Sequence, residues 1–236
     1  MDEIRAMNGS NAEPVTVVVD TAHAVSALSW VPPRARACYL LAHGAGAGIT
    51  HPFMHAVAAG LAERDIATLR YQFPYMESRG RRPDPPKLAH ATVRAAAAQA
   101  LQLAPRLPLV AGGKSFGGRM TSQAQAASPL PGVCGLALLG FPLHPVGRPS
   151  EERAEHLFNV QVPMLFLQGT RDALADTQLI SSVTKRLGER ASLHVIPDAD
   201  HSFHVPARTG RTDAEAMSDM LDVLAGWVRS IISRQP

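Results

Sequence analysis

Short runs of apolar residues recur along the chain, and they are shorter than the amphipathic segments that lie between them. These runs occupy residues 15–19, 24–30, 37–42, 66–69, 109–112, 133–139, 164–167 and 193–196. Apolar residues recur at helical spacing in residues 53–61, 88–103, 118–127, 179–187 and 217–231. Because most of the short runs lack alternation of apolar and polar positions, we expect strands that are buried on both faces.

This order of strands and helices predicts the fold class. Strands that alternate with helices form a mostly parallel sheet with helices on both faces, so we expect an α/β protein. The first two strands are joined by a short turn and are expected to form an antiparallel edge. No internal repeat or long linker divides the chain, so we expect a single domain over residues 1–236, with residues 1–14 flexible.

Composition and charge narrow the classes of function. Hydrophobic residues make up 46% of the 236 residues, enough for a large buried core, and the net charge is only +3. The dense basic stretch at residues 79–87 holds three prolines and no aromatic residue, which is typical of a solvated loop. Cys38 and Cys134 lie in predicted strands and are expected to be buried, reduced thiols.

Targeting and membrane signals are absent from the sequence. No window reaches the roughly 20 apolar residues of a membrane span, and residues 1–14 lack the apolar segment of a signal peptide. We therefore expect a cytoplasmic protein whose partner is a small-molecule substrate and which binds neither nucleic acid nor membrane. The sequence leaves the oligomeric state open.

A glycine-rich turn connects the strand at residues 109–112 to the next helix. Residues 113–117 read GKSFG, which is the G-x-S-x-G pattern of a nucleophile elbow. A phosphate-binding loop is the alternative, but it requires a glycine six positions before Lys114, and that position is Pro108. We therefore expect Ser115 to be a catalytic nucleophile.

A serine hydroxyl needs a base that takes its proton. Of the ten histidines, His201 follows the strand at residues 193–196 and lies at the C-terminal edge of the sheet, where α/β proteins carry their sites. His194 lies within that strand, and His204 lies further along the loop. His201 is therefore the predicted base.

The carboxylate that orients the histidine should come from the loop after the preceding strand, and Asp172 lies there. Asp176 fits better as the N-cap of the following helix. Asp198 and Asp200 are too close in sequence to His201 to come from a neighbouring strand. The resulting order, serine, aspartate and then histidine, is the order found in α/β-hydrolases.

An acyl-transfer site also needs two backbone donors for the developing oxyanion. Phe116, the residue after the nucleophile, offers one N–H group, and the turn at residues 43–48 offers the other, which we expect to come from Ala45, with Gly46 as the alternative. Read as a dinucleotide fingerprint, this turn lacks the later glycine spacing. We expect this protein to need no cofactor and no metal.

Five segments resemble the small, dienelactone-hydrolase-like α/β-hydrolases, namely residues 43–46, 70–76, 112–119, 169–172 and 200–203. The Gly-Lys-Ser-x-Gly-Gly-Arg form is similar to a bacterial group related to a regulatory subunit of an animal chromatin acetyltransferase complex. The resemblance covers nearly the whole chain and implies an eight-stranded sheet with Ser115, Asp172 and His201 at the catalytic positions. Dienelactone hydrolases carry a cysteine nucleophile where this chain has Ser115.

These features predict a serine hydrolase that cleaves a small soluble carboxylic ester, or a related acyl compound, through an acyl-enzyme. The alternative is a non-catalytic binding or scaffold protein, which the chromatin-associated relatives keep open. The connection at residues 140–163 holds one short, largely charged helical stretch at residues 151–158, so we expect a minimal lid.

We also expect a pocket with Arg70 or Arg119 close to it. Its predicted lining is mostly aromatic and consists of Phe73, Tyr75, Phe141, Leu143 and Phe203.

Overall fold

The computed structural model describes residues 11–234 and contains, within that range, one eight-stranded sheet. The strands are β1 (Glu13–Val18), β2 (Ala24–Trp30), β3 (Ala37–Ala42), β4 (Ile66–Tyr71), β5 (Leu109–Lys114), β6 (Val133–Leu139), β7 (Met164–Gly169) and β8 (Ala191–Ile196). Their order is β1-β2-β4-β3-β5-β6-β7-β8. The β1–β2 and β2–β4 pairs are antiparallel and the others are parallel, which confirms the predicted sheet.

Helices cover both faces of the sheet. They are α1 (Pro52–Ala62), α2 (Pro74–Glu77), α3 (Pro86–Leu103), α4 (Phe116–Ala127), α5 (Thr177–Leu187) and α6 (Asp213–Ile232), with a 3-10 helix at Glu152–Asn159. Buried side chains of α1 and α6 pack on one face, and those of α3, α4 and α5 pack on the other. The protein therefore has the expected three layers, helix, sheet and helix.

Burial on both faces explains why the central strands read as continuous apolar runs. Every residue of β3, β4, β5 and β7 is buried. The edge strand β1 differs, because Val17 is buried whereas Val18 is 68% exposed. Removing apolar surface from water at about 25 cal/mol per Å² is the main force that holds these layers together.

Parts of the N-terminal half differ from the expectations. No helix is predicted between residues 69 and 88, but Pro74–Glu77 forms the helical turn α2 there. Glu13 and Pro14 belong to β1 instead of to the flexible segment that we expected, and residues 1–10 lie outside the described part. Cys38 is buried as predicted, but Cys134 is only partly buried, and the two cysteines do not form a disulfide.

The parallel strands β3, β5, β6, β7 and β8 all end at the same edge of the sheet. The loops that leave these ends therefore meet there, at the position where open α/β sheets carry their sites. Within residues 11–234, no helix is both long and apolar enough to cross a lipid bilayer.

Candidate active site

Ser115 lies between β5 and α4 in a strained turn. Its φ of 49° and ψ of −114° belong to a region that residues with a side chain rarely occupy. A Cβ on Gly113 would lie 2.2 Å from the Ala42 carbonyl oxygen, and one on Gly117 would lie 2.5 Å from the His43 carbonyl oxygen. Only glycine fits at these two positions, so the turn packs tightly against the end of β3.

Three side chains from three different loops form one hydrogen-bonded chain at this edge. The Nε2 atom of His201 lies 2.8 Å from Ser115 Oγ, and its Nδ1 atom lies 2.7 Å from Asp172 Oδ2. Because the carboxylate accepts the Nδ1 proton, Nε2 is free to accept the hydroxyl proton of Ser115. The structure thus brings together the residues that the sequence predicts as nucleophile, base and acid.

Asp172 is held in place by two further donors. Gln168 Nε2 donates to Oδ2, and the backbone N–H of Leu174 donates to Oδ1 at 2.8 Å. The side chain of Asp172 is fully buried. These bonds fix the plane of the carboxylate and therefore the orientation of the His201 ring.

The alternative candidates for the acid and the base have other hydrogen-bond partners. Asp176 accepts from two backbone N–H groups in the first turn of α5 and is its N-cap, as predicted. Asp200 Oδ1 accepts from the backbone N–H groups of Ser202, at 2.7 Å, and His204, at 3.0 Å, and so shapes the loop that carries the base. His204 is exposed, and its Nδ1 lies 2.9 Å from Asp213 Oδ2, away from the serine.

The predicted oxyanion donors lie on both sides of Ser115. Phe116 is the first residue of α4, so its backbone N–H has no acceptor within the helix. Ala45 lines the same cleft as Ser115. The N–H of Gly46, the alternative donor, is taken by the Tyr75 hydroxyl at 2.9 Å. In this loop the geometry therefore favours Ala45 over Gly46.

The neutral ring of His43 stabilises the turn at residues 43–48, which carries the predicted oxyanion donor Ala45. Its Nδ1–H donates to the Gly44 carbonyl at 2.7 Å, and its Nε2 accepts from the backbone N–H of Phe73 at 3.1 Å. Burial lowers the pKa of His43 to about 4. The ring therefore keeps both bonds at neutral pH and ties the loop after β3 to the residues that follow β4.

A cleft of about 410 Å³ opens above Ser115. It is lined by Gly44, Ala45, Ala47, His51, Phe53, Met54, Lys114, Ser115, Leu174, His201 and Ser202. Small residues of the β3 loop form one wall, and the first turn of α1 forms the next. The cleft is therefore mostly apolar, with one cation among its lining residues.

The five side chains predicted to line the cleft do not do so, and that expectation is wrong. Phe73, Tyr75, Phe141 and Leu143 belong to the buried cluster on the α3, α4 and α5 side of the sheet, and Phe203 to the cluster on the α1 and α6 side. Large aromatic side chains gain most from complete burial, and the loops turn these residues into the core.

Neither predicted arginine reaches the cleft. Arg70 is fully buried, and its Nη1 donates to the Ile49 carbonyl at 3.1 Å. Arg119 lies on α4 and does not line the cleft; burial, followed by the charge of Arg153, lowers its pKa. The expectation of an arginine at the pocket is therefore wrong as well.

Five larger lining residues were not predicted from the sequence: His51, Phe53, Met54, Lys114 and Leu174. His51 caps α1, because its Nδ1 accepts from the backbone N–H of Phe53 at 3.2 Å. Lys114 carried a usable signal, since it is a charged residue at the end of a strand that is otherwise apolar. The sequence gives no comparable signal for His51 and Phe53, because the path of the loop before α1 cannot be predicted from its residues.

A second serine–histidine contact lies outside the cleft. Ser122 Oγ donates to the Arg119 carbonyl at 3.0 Å, so His156 Nε2, at 2.8 Å, must be the donor to that oxygen. Burial, assisted by Arg119, lowers the pKa of His156 to about 4. Among the described residues no carboxylate bonds this ring. The contact therefore joins α4 to the 3-10 helix and lacks the arrangement of a base.

Comparisons with known proteins agree with this architecture. Residues 35–229 match a family model described as an alpha/beta hydrolase domain. A dienelactone hydrolase from Anabaena variabilis is 21% identical, with a TM-score of 0.74, covering 94% of this chain and 98% of that one. A serine hydrolase without a lid from Xanthomonas campestris is 19% identical, with a TM-score of 0.70, covering 93% and 96%.

An Est1E structure from Butyrivibrio proteoclasticus is 16% identical, with a TM-score of 0.65, covering 90% of this chain and 99% of that one. At these identities the solved structures establish the shared fold alone.

Proposed function

This chain belongs to the α/β-hydrolase family, and from that premise we propose that it is a serine hydrolase acting on a small soluble carboxylic ester or related acyl compound. The observation that carries the proposal is the bonded series Ser115, His201 and Asp172 at a strained turn. A scaffold has no need of a strained serine, because such a backbone costs of order 1–3 kcal/mol.

The proposed reaction has two halves. Ser115 Oγ attacks the acyl carbon while His201 Nε2 takes its proton, and Asp172 stabilises the imidazolium that forms. The carbonyl oxygen becomes an oxyanion and accepts from the backbone N–H groups of Phe116 and Ala45. His201 then gives its proton to the leaving alcohol, which departs and leaves an acyl-enzyme.

Hydrolysis of the acyl-enzyme repeats these roles. Water attacks the acyl carbon, His201 takes a proton from it, and the same two N–H groups stabilise the second oxyanion. The proton returns to Ser115 Oγ as the carboxylic acid leaves. The fixed N–H groups contribute to both steps, because they need no rearrangement when the charge develops.

The size of the cleft supports a small acyl group. Its volume of about 410 Å³ lies in the lower part of the range for small-molecule sites. The connection between β6 and β7 holds only the 3-10 helix Glu152–Asn159, whose Ala154 and Leu157 are buried against the core. It therefore has no free apolar face of the kind that a lipase lid needs.

The test of the proposed function is covalent labelling with a fluorophosphonate probe. We expect the probe to label the native protein at Ser115, and Ser115→Ala to abolish labelling. Ser122→Ala is the matched control, because it removes the other serine that contacts a histidine and should leave labelling unchanged.

Two outcomes contradict the proposal. Labelling that survives Ser115→Ala would place the nucleophile elsewhere. Absence of labelling in the native protein, together with no turnover of a panel of acyl esters, amides and thioesters, would favour a non-catalytic binding protein.

A further inference from the structure

Lys114, the residue before Ser115, crosses the gap between β5 and the loop that carries His201. Its Nζ donates to the backbone carbonyl of His201. The residue is only 9% exposed. Among the described residues it takes part in no ion pair within 4 Å, so the ammonium is buried with a carbonyl oxygen as its hydrogen-bond partner.

Two aromatic rings complete the surroundings of this ammonium. Phe53 of α1 and Phe203 of the His201 loop are stacked, with centroids 5.9 Å apart and planes 11° from parallel. Lys114 Nζ lies 5.8 Å from the Phe53 centroid and 5.1 Å from the Phe203 centroid. Cation–π attraction therefore adds to the hydrogen bond, and both contacts reach segments that border the cleft.

The loop after β6 leaves room for this arrangement. Gly140 has a φ of 63°, and a Cβ on it would lie 2.7 Å from Lys114 Nζ and 3.5 Å from His201 Nδ1. The ammonium and the imidazole thus border the same small gap. A side chain at this position would displace one or both of them.

We propose that Lys114 is a positioning residue, whose ammonium ties the His201 backbone to the strand that carries Ser115 and so fixes the distance between base and nucleophile. The inference rests on the proposed function. It explains why a cation is buried at this position, because an ammonium in a low-dielectric site destabilises the fold unless its contacts compensate.

The charge of Lys114 predicts a pH dependence. Burial lowers the pKa of Lys114 to about 8, and the charges of Asp172 and Asp200 oppose that shift. A charge-assisted hydrogen bond is about twice as strong as a neutral one. Loss of the ammonium proton above about pH 8 should therefore loosen the His201 loop and lower kcat.

Kinetics of three variants test the proposal. Lys114→Met removes the donor and the charge, and we expect kcat to fall about 10²-fold with little change in KM, because a small misplacement of a catalytic group has an effect of this size. Lys114→Arg keeps the charge at all working pH values, so it should lack the fall in kcat above pH 8. Lys185→Met, at an exposed position on α5, is the control and should match the native protein.

Amide hydrogen exchange gives a readout that does not depend on turnover. Residues 197–205 should exchange faster in Lys114→Met than in the native protein, at equal thermal stability. If the native protein has no activity but residues 197–205 still exchange faster in Lys114→Met, Lys114 holds the His201 loop and the proposed function is wrong. Two results would contradict the proposed role of Lys114. One is a Lys114→Met variant whose kcat and amide exchange equal those of the native protein, and the other is a Lys114→Arg variant whose kcat still falls above pH 8.

Discussion

At the scale of single residues, Asp172 Oδ2 accepts from both His201 and Gln168. Asp172→Asn keeps the size of the side chain but lets the amide present its NH₂ group to His201 Nδ1, which favours the wrong tautomer. We expect kcat for an acyl ester to fall by about 10⁴ while the thermal unfolding midpoint stays close to that of the native protein.

Asp176→Asn is the matched control for this change. Asparagine is about as good an N-cap as aspartate, so stability should hold within about 0.5 kcal/mol and kcat should not change. If Asp172→Asn keeps full activity, the acid has been misassigned, and a loss in Asp176→Asn would then identify Asp176.

The residues of the bonded series could be predicted from sequence, whereas the lining of the cleft could not. Ser115 follows β5 directly, and Asp172 and His201 lie in the short loops after β7 and β8, so the ends of the strands place all three at one edge of the sheet. Phe73 also follows a strand, but its ring packs edge-on against His43, with centroids 5.0 Å apart. Its direction depends on a buried partner 30 residues away, and no local pattern encodes that contact.

At the scale of elements, the approach of α4 to the end of β3 depends on Gly117. In Gly117→Ala the new Cβ would lie 2.5 Å from the His43 carbonyl oxygen and 2.6 Å from Ala42 Cβ. Backbone at these distances has to shift, so we expect a loss of about 1–3 kcal/mol in the free energy of unfolding, measured with urea. Because the turn moves with it, kcat should fall as well.

Gly226→Ala on α6 provides the opposite case. Its Cβ would find nothing closer than an Arg229 nitrogen at 4.0 Å, and alanine favours a helix by about 1 kcal/mol over glycine. This variant should therefore be slightly more stable and fully active. Equal stability of the two variants would contradict the packing argument for Gly117.

The sequence predicted long elements better than short ones. The bounds of β2, β3 and β6 agree with the predicted runs, because glycine, proline or charged residues interrupt the apolar pattern at their ends. Pro74–Glu77 was missed, since four residues cannot display a helical period. The turn forms because Pro74 fits the first helical position and the Tyr75 backbone N–H donates to Asp84 at 3.1 Å.

At the scale of the whole molecule, two neutral histidines make the fold sensitive to acid. The pKa values of His43 and His156 are both about 4 in the folded protein, below the usual value near 6.5. Between these values the unfolded chain binds more protons, so stability falls as the pH drops from 6.5 to 4. We expect His43 to account for up to about 3 kcal/mol of this loss and His156 for less.

Urea unfolding at pH 6.5, 5 and 4 measures the effect. His156→Gln should reduce the loss, because a neutral amide has no proton to gain. His204→Gln is the control: the pKa of the exposed His204 is raised by Asp213, so replacing it should not protect the fold from acid. A native protein whose stability is level over this range would contradict the prediction.

The proposed substrate class follows from the open cleft and the short β6–β7 connection. Short-chain p-nitrophenyl esters should have a higher kcat/KM than long-chain ones, because a cleft of about 410 Å³ cannot enclose a long acyl chain. The rate should show no jump at the critical micelle concentration. A preference for emulsified long-chain triglycerides would contradict this proposal.

The strand order also carries a consequence for the timing of assembly during translation. From β5 to β8, neighbours in the sheet follow one another along the chain, so this half grows outward as the polypeptide emerges. The turn around Ser115 is translated before β6, β7 and β8, whereas His201 is translated only after the outermost strand β8. In a nascent chain Ser115 therefore lacks its proposed base until β8 has joined the sheet. The onset of labelling by a fluorophosphonate should report the time at which β8 pairs with β7.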